Sequence, residues 1–312
     1  MSFTVQIDSN VFPVITLMNK EEKTAAEIYA FGALLNAFKV DESINIIDAF
    51  SSPADAINNI TNGFKSAKLS PYVCRIKNGE YSFNDHDYKI GKFYLKEEAI
   101  HGLLFDAIFE ITDSGTTGDE AFVVLNYTYS KEDKGYPFSY SCSVKYSLSN
   151  NNCLSITTTI KNNSDVEIPV CDGWHPYFTL GGYIDELVFE MNADKMLEFN
   201  DRLVPTGNVT SYEKFNQQEI FGDTFLDNCF VLNDTIKPAC ILKNIKTGLQ
   251  LSVQADAAYP YLQLYTPPHR TSIAIENLSA APDAFNNKIG LKILQPSAEI
   301  TFKTSYTATI KL

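Results

Sequence analysis

The side chains best suited to proton transfer are a histidine among aromatic residues and a glutamate that follows an apolar run. His175 lies in residues 173–178, GWHPYF, which contain the only tryptophan of the chain. Pro176 lacks a backbone donor, so we expect His175 at a strand end or rim. Glu276 follows the apolar part of the predicted strand 271–276, where desolvation raises a carboxyl pKa toward the working range of a base. A hydrogen-bonded structural histidine and a solvent-facing glutamate are the alternative interpretations.

Three further polar residues are candidates for a binding site. His101 precedes Gly102, and a glycine there permits close approach of a ligand or of another backbone segment. Arg75, one of only three arginines, lies in an otherwise apolar predicted strand, where a surface ion pair is the alternative. Asp227 is either a ligand-binding carboxylate or a turn residue. None of these residues is specific when it is considered alone.

Composition and missing motifs exclude several classes of function. The chain of 312 residues has a net charge of −13, which argues against a protein that follows a phosphate backbone. It lacks the nucleophile-elbow, P-loop, dinucleotide-binding and HExxH motifs. The six scattered cysteines include no CxxC pair, so we expect buried free thiols and no zinc. With no apolar run of membrane-spanning length and no signal-peptide pattern, we expect a cytoplasmic protein that binds neither membranes nor nucleic acids.

Two-residue alternation of apolar and polar side chains is the main structural signal. It predicts a β-hairpin from residues 140–148 and 154–160, and further strands at 122–129, 249–253 and 302–310. We therefore predict an all-β fold, a large antiparallel β-sandwich, that forms one domain over residues 1–312.

Helical signals are few. Ser52 and Pro53 are typical of the first residues of a short helix, which we predict to continue to about Ile57. Residues 21–35 have the alanine and leucine content of a helix, yet Gly32 and its strand-like neighbours fit a strand equally well.

Taken in order, these motifs resemble the aldose 1-epimerase, or mutarotase, family over most of the chain. The matching segments share an order along the sequence: 32–35 (GALL), 75–83 (RIKNGEYSF), 101–102 (HG), 175–178 (HPYF), 275–276 (IE) and 282–286 (PDAFN). The better-known galactose mutarotases usually have Asn-His before Tyr-Phe, whereas here Trp174 precedes His175 and Pro176 follows it. Residues 259–270 also look more like an outlying branch. These departures bear on the sugar more than on the reaction.

The resemblance implies a galactose mutarotase-like supersandwich that needs no metal or other cofactor. Glu276 would act as general base on the C1 hydroxyl of a cyclic sugar, and His175 as general acid on the ring oxygen. His101 and Arg75 would donate hydrogen bonds to the sugar, and Asp227 would accept them. We expect the carboxylate and imidazole to flank a sugar-sized gap rather than bond to each other, with the imidazole partly protonated near neutral pH.

The resemblance also implies a wider set of substrate-binding residues. Trp174 and Tyr177 are candidates to stack on the C–H face of a sugar, whereas core packing is the expectation for Phe178. Gln263 and Arg270, within residues 259–270, are further substrate-binding candidates. We expect a small-molecule sugar as the partner and a monomer or weak dimer as the assembly.

Two alternative functions remain open at the level of the sequence. A hexose-6-phosphate 1-epimerase on the same scaffold would need extra cations in its cleft, which a net charge of −13 does not favour. A non-catalytic carbohydrate-binding β-sandwich would not need His175 and Glu276 together. A glycosidase would use two carboxylates, and the histidine–glutamate pair is better supported.

Overall fold

The structure is a computed structural model that describes residues 2–9 and 11–310. The predicted domain, 1–312, includes residues 1, 10, 311 and 312, which lie outside the described residues. The strands before residue 165 are, in chain order, β1 Phe3–Ser9, β2 Pro13–Asn19, β3 Thr24–Tyr29, β4 Leu34–Val40, β5 Ile44–Asn45, β6 Ala67–Leu69, β7 Arg75–Ile76, β8 Glu80–Phe83, β9 His86–Lys89, β10 Tyr94–Leu95, β11 Glu98–Ile100, β12 Glu110–Thr116, β13 Glu120–Ser130, β14 Ser139–Ser149 and β15 Cys153–Asn162.

The later strands are, in chain order, β16 Ile168–Val170, β17 Gly173–His175, β18 Tyr177–Phe178, β19 Val188–Met191, β20 Ala193–Phe199, β21 Pro205–Ser211, β22 Glu219–Ile220, β23 Asp227–Leu232, β24 Cys240–Lys243, β25 Leu249–Ala255, β26 Tyr261–Tyr265, β27 Ile273–Leu278, β28 Lys292–Leu294 and β29 Glu299–Ile310. The helices of the described residues are short, α1 Pro53–Asn59 and α2 Ala284–Asn287, with 3₁₀ turns at Lys77–Gly79 and Ile184–Glu186.

Two large antiparallel sheets form the body of the fold. One has nine strands in the order β12-β13-β14-β15-β29-β25-β24-β19-β22, and the other runs β21-β20-β23-β26-β27-β17-β6, with β18 also paired to β27. The rings of Tyr146 and Trp174 lie 6.1 Å apart across the two sheets, and those of Phe178 and Tyr306 lie 5.1 Å apart. The sheets therefore pack face to face, which confirms the predicted all-β antiparallel sandwich.

The elements expected from alternation are present. β14 and β15 pair throughout as the predicted hairpin, and the predicted strands at 122–129, 249–253 and 302–310 lie within β13, β25 and β29. The ambiguous segment 21–35 contains β3 and the start of β4, because its apolar residues alternate across a sheet. α1 begins as predicted, with the Ser52 hydroxyl accepting a hydrogen bond of 3.1 Å from the backbone N–H of Asp55.

An ionic network lies buried between the two large sheets. Lys68 Nζ is 2.5 Å from Asp172 Oδ1, and neither side chain is exposed to solvent. The Tyr259 hydroxyl donates to the other oxygen of Asp172 at 2.5 Å. Lys68 Nζ also donates to the carbonyl of Gly173 at 3.3 Å and lies 4.3 Å from the centre of the Trp174 ring. The network therefore binds β6 to β17 and to the residue that precedes β17.

Other features of the fold agree with the composition of the sequence. Each of the six cysteines is described and is a free thiol, with five buried and Cys153 half-buried. Within the described ranges, no helix has the length and apolar character needed to cross a membrane.

Candidate active site

A cavity of about 700 Å³ opens on the face of the eight-strand sheet that points away from the sandwich interior. Alternation along β27 explains this position, because adjacent strand residues point to opposite faces. Asn277 Nδ2 donates to Thr304 Oγ1 of the facing sheet at 2.5 Å, so Glu276 points outward. Seven of the predicted site residues line the cavity: Arg75, His101, His175, Tyr177, Asp227, Gln263 and Glu276.

His175 and Glu276 are in contact inside this cavity. Nε2 of His175 lies 3.4 Å from Oε1 of Glu276, and the two residues are 5% and 2% exposed. His175 ends β17, as expected from the following proline, and β17 pairs with β27 through Gly173 and Leu278. The predicted sugar-sized gap between the two groups is therefore wrong, because neighbouring strands bring both side chains to the same point; the 3.4 Å contact is not a hydrogen bond of the described residues.

Burial favours the uncharged forms of both groups. Burial raises the pKa of Glu276 well above its usual value; the charge of Asp227 raises it further and Arg75 opposes this. Burial lowers the pKa of His175 to about 4, so a partly protonated imidazole at neutral pH is not what the structure supports. Burial therefore favours a neutral carboxyl on Glu276 and a neutral imidazole on His175.

Several buried polar atoms of the cavity have no hydrogen-bond partner among the described residues. They are Oε2 of Glu276, Nδ1 of His175, Nδ1 of His101 and Oε1 of Gln263. Buried polar groups are nearly always hydrogen-bonded, because an unpaired one costs about 1–3 kcal/mol. Four such atoms belong to residues that line this one cavity.

Gln263 and Asp227 extend the polar surface across the sheet from Glu276. Gln263 lies directly opposite Glu276 in the pairing of β26 with β27. Its Nε2 donates to Asp227 Oδ1 at 3.0 Å, and Asp227 is the first residue of β23, not a turn residue. Burial raises the pKa of Asp227, while Arg75 and the Gln263 hydrogen bond lower it.

Arg75 and His101 approach the cavity from a separate three-strand sheet, β10-β11-β7. Arg75 is half-buried and pairs with Ile100, directly before His101. The His101 ring lies 5.0 Å from that of His175, and burial, His175 and Arg75 all lower its pKa. Gly102 has φ +78°, and a Cβ there would lie 2.5 Å from the carbonyl oxygen of Ser70. Gly102 therefore permits the close approach of another backbone segment, which is one of the two reasons predicted for a glycine at this position.

Tyr177 provides an aromatic wall next to the acid/base pair. Its ring lies nearly parallel to that of His175, with the centroids 5.1 Å apart and an angle of 22°. The side chain is buried and also meets Tyr265 edge-on at 6.5 Å. Tyr177 therefore restrains the orientation of the His175 ring while it lines the cavity.

Two predicted substrate-binding residues lie outside the cavity. Trp174 precedes His175 on β17, so its side chain points to the opposite face, where it packs between the sheets and is 2% exposed. Arg270 binds Asp185 at 2.5 Å and the carbonyls of Thr224 and Gly222, so it holds a loop together. Neither residue can contact a sugar in the cavity. Phe178 is a core residue as expected, and the exposed His269 does not line the cavity.

Sequence reasoning assigned no role to Asp283 and Arg202, the two residues that support Arg75. The backbone N–H of Asp283 donates to the carbonyl of Arg75 at 2.8 Å, and Asp283 Oδ1 accepts from the backbone N–H of Lys77 at 2.9 Å. The motifs at 75–83 and 282–286 therefore bind each other, which their joint occurrence could have signalled. Arg202 also lines the cavity, and its only signal was the scarcity of arginine.

The donor groups of the cavity do not form a metal site. Within residues 2–9 and 11–310, no group of three or more His, Cys, Asp or Glu side chains is arranged to hold a metal ion. The absence of a cofactor requirement stays a prediction.

Comparison with known proteins relates this geometry to a family. A profile of the family described as aldose 1-epimerase matches residues 13–307. The protein YihR of Escherichia coli K12 is 27% identical over 232 residues, which is 73% of each chain. An aldose 1-epimerase from Haemophilus influenzae is 25% identical over 223 residues, covering 65% of this chain and 64% of that protein, slightly less than two thirds of its length.

Solved structures share the fold at low sequence identity. A galactose mutarotase-like protein from Clostridium acetobutylicum superimposes with a TM-score of 0.89 over 99% of both chains at 18% identity. A galactose 1-epimerase from Lactobacillus acidophilus gives a TM-score of 0.82 over 98% of both chains at 19% identity. Because the family profile covers most of the sequence, the chain belongs to the aldose 1-epimerase family, whose enzymes are isomerases.

Proposed function

We propose that this enzyme interconverts the α- and β-anomers of an uncharged aldose, with Glu276 and His175 exchanging protons with the sugar. The observation that carries the proposal is the buried pair itself: two groups able to exchange protons lie 3.4 Å apart, and both residues line the cavity. Membership of the aldose 1-epimerase family supports the reaction class.

Ring opening requires one proton to leave the sugar and another to arrive. Glu276 takes the proton of the C1 hydroxyl, the C1–O electrons form the carbonyl, and the bond from C1 to the ring oxygen breaks. His175 delivers a proton to that ring oxygen. After rotation about C1–C2, attack of the hydroxyl on the other face of the carbonyl reverses both transfers and yields the other anomer.

The proton count of the pair explains why burial suits this reaction. Before opening, the pair would be a carboxylate and an imidazolium, and after opening a neutral carboxyl and a neutral imidazole. Burial favours the second state, since it raises the pKa of Glu276 and lowers that of His175. The protein environment therefore stabilises the open-chain complex, while sugar hydroxyls offset the charges of the first state.

The remaining cavity residues are proposed to position the sugar. Arg75 and His101 donate hydrogen bonds, and Arg75 offers a planar fork that suits neighbouring hydroxyls. Asp227 and the free carbonyl oxygen of Gln263 accept hydrogen bonds. The Tyr177 ring presents an apolar surface next to His175.

The charges around the cavity favour a neutral sugar over a hexose phosphate. Besides Glu276, four acidic side chains line it, against three basic ones, Arg75, Lys96 and Arg202. Arg202 is already bound to Glu98 at its Nε, at 2.7 Å. An excess of negative charge disfavours an anionic substrate. The galactose 1-epimerase among the structural neighbours makes galactose a reasonable first substrate, with glucose beside it.

The decisive experiment measures anomer exchange by NMR with galactose, glucose and glucose 6-phosphate. Glu276→Gln and His175→Asn should each lower turnover by about 10²–10⁴-fold while sugar binding is retained, because each removes one proton-transfer group. Glu110→Gln, an exposed substitution on β12, is the matched control and should behave as wild type. Near-wild-type turnover of folded Glu276→Gln would leave the carbohydrate-binding protein as the better explanation.

A further inference from the structure

We propose that Arg202 is a positioning residue that fastens the tip of the β20–β21 hairpin over the cavity and thereby holds Arg75 in place for the sugar. The inference rests on the proposed function, because it takes Arg75 as a sugar-binding group. Arg202 itself is not proposed to touch the sugar.

The hairpin tip forms one wall of the cavity, and its apolar packing comes from the buried Val204 and from Phe199, which contacts a small apolar cluster. Phe199, Asp201, Arg202 and Leu203 all line the cavity. β21 is the edge strand of its sheet, and six of its seven residues are exposed. Exposed edge elements open at low energetic cost, so a further polar attachment would help to keep the tip closed.

The turn at the tip is ordered by an asparagine side chain. Asn200 Oδ1 accepts hydrogen bonds from the backbone N–H groups of Arg202, at 2.9 Å, and Val204, at 3.2 Å. These bonds fix the shape of the turn but do not attach it to the rest of the protein. The attachment comes from the Arg202 side chain.

The guanidinium of Arg202 reaches across the cavity mouth to the three-strand sheet. Its Nε donates to Glu98 Oε1 at 2.7 Å, and its Nη2 donates to Asn78 Oδ1 at 2.7 Å and lies 3.2 Å from Glu97. The Glu98 side chain is only 6% exposed, and its other oxygen accepts from the backbone N–H of Asn78. Charge-assisted bonds to a buried carboxylate are strong, so this is a firm attachment.

The same residue restrains Arg75 through its backbone. The Arg202 carbonyl accepts a hydrogen bond of 3.2 Å from Arg75 Nη1. This is the one hydrogen bond that the Arg75 guanidinium makes among the described residues. No described carboxylate lies within 4.0 Å of that guanidinium. Arg75 therefore keeps most of its donors available for a ligand, while the Arg202 carbonyl fixes where they point.

A double-mutant cycle tests whether Arg202 acts through Arg75. In otherwise wild-type enzyme, Arg202→Met should raise KM for the sugar about tenfold and change kcat less than about threefold. In the Arg75→Met background, removing Arg202 should change KM less than about twofold, because the restrained group is already gone. Equal effects in both backgrounds would overturn the inference, since they would indicate direct sugar contact or general loss of structure.

A second variant covers the risk that Arg202→Met leaves Glu98 buried without a partner and fails to fold. In Arg202→Gln/Glu98→Gln the two amides carry no charge, and the same rise in KM is expected if circular dichroism shows an intact fold. Arg270→Met removes an arginine that also joins loops but lies outside the cavity, and it should leave KM unchanged. A folded Arg202→Gln/Glu98→Gln variant with the KM of wild type would refute the inference.

These results are separable from a failure of the proposed function. If wild-type enzyme does not exchange anomers at all, the proposed function fails first. If wild-type enzyme is active and the cycle is additive, only the positioning role of Arg202 fails.

Discussion

At the scale of single residues, the site is governed by the burial of two groups that must change charge. Glu276 and His175 are almost fully enclosed; the charges of Asp227 and Arg75 act on the pKa of Glu276, and His175 acts on that of His101. Because the two groups lie 3.4 Å apart, the gain or loss of a proton by one changes the surroundings of the other. The pH behaviour of activity and of stability should therefore report the same environment.

The first prediction concerns activity. kcat/KM should fall on the acid side as the pair takes up a second proton, with an apparent pKa close to the value of about 4 for His175. It should fall again at high pH, as the pair loses its last proton, because burial raises the pKa of Glu276. NMR exchange rates across pH test this, and an acid limb near the ordinary histidine pKa would contradict it.

The second prediction concerns stability. Burial raises the folded-state pKa of Glu276, so the native state holds a proton that the unfolded chain has already lost above the ordinary pKa of 4.5. That contribution is present at low pH and is lost as pH rises toward the folded pKa. The free energy of unfolding of Glu276→Gln, measured in urea, should therefore rise relative to that of wild type as the pH increases. A pH-independent difference between the two proteins would contradict the expected burial effect.

Residue types alone could identify part of this site. His175, Glu276, Arg75, His101 and Asp227 stand in motifs whose order resembles one family, and all five line one cavity. Trp174 was misassigned because its neighbour His175 occupies the cavity face, and adjacent strand residues cannot share a face. The same alternation could have excluded Trp174 from the predicted site. The 3.4 Å contact between His175 and Glu276 depends on strand pairing, which no local pattern specifies.

At the scale of elements, β17 depends on the buried network that precedes it. Lys68 contacts Asp172, Gly173 and Trp174, the three residues that lead into His175. Ser279 binds Asp172 twice, through its hydroxyl and its backbone N–H, at 2.8 and 2.9 Å. The network therefore links the strand that carries His175 to the end of the strand that carries Glu276.

The third prediction tests this network by stability. Asp172→Ala should lower the free energy of unfolding by about 3–5 kcal/mol, because it leaves Lys68 buried without a partner. Lys68→Met/Asp172→Leu should be much less harmful, since it removes both charges. Glu186→Ala breaks an exposed pair with Lys246 and should cost less than about 1 kcal/mol. If Asp172→Ala also lowered the free energy of unfolding by less than about 1 kcal/mol, the buried pair would contribute little to stability.

At the scale of the whole molecule, local alternation predicted strands but not their order. β29, at the C-terminal end of the described chain, lies in the middle of the nine-strand sheet between β15 and β25. Such pairing is decided by long-range packing of the inward faces, and a two-residue period carries no information about it. The fold class could be predicted because the long strands β13, β14, β15, β25 and β29 show a two-residue period, whereas the cavity depends on which strands become neighbours.

The last prediction follows from the central position of β29. Its Phe302 is fully buried and stacks on Tyr259 at 5.4 Å, and the connected core reaches from Phe3 to Ala308. If residues 1–312 form one cooperative domain, Phe302→Ala should lower stability by about 3–5 kcal/mol. Far-UV dichroism, tyrosine fluorescence and resistance to proteolysis should then shift together in urea with an unchanged slope. Two separate transitions, or a stable proteolytic fragment that retains half the strands, would instead show that the sheets fold as independent units.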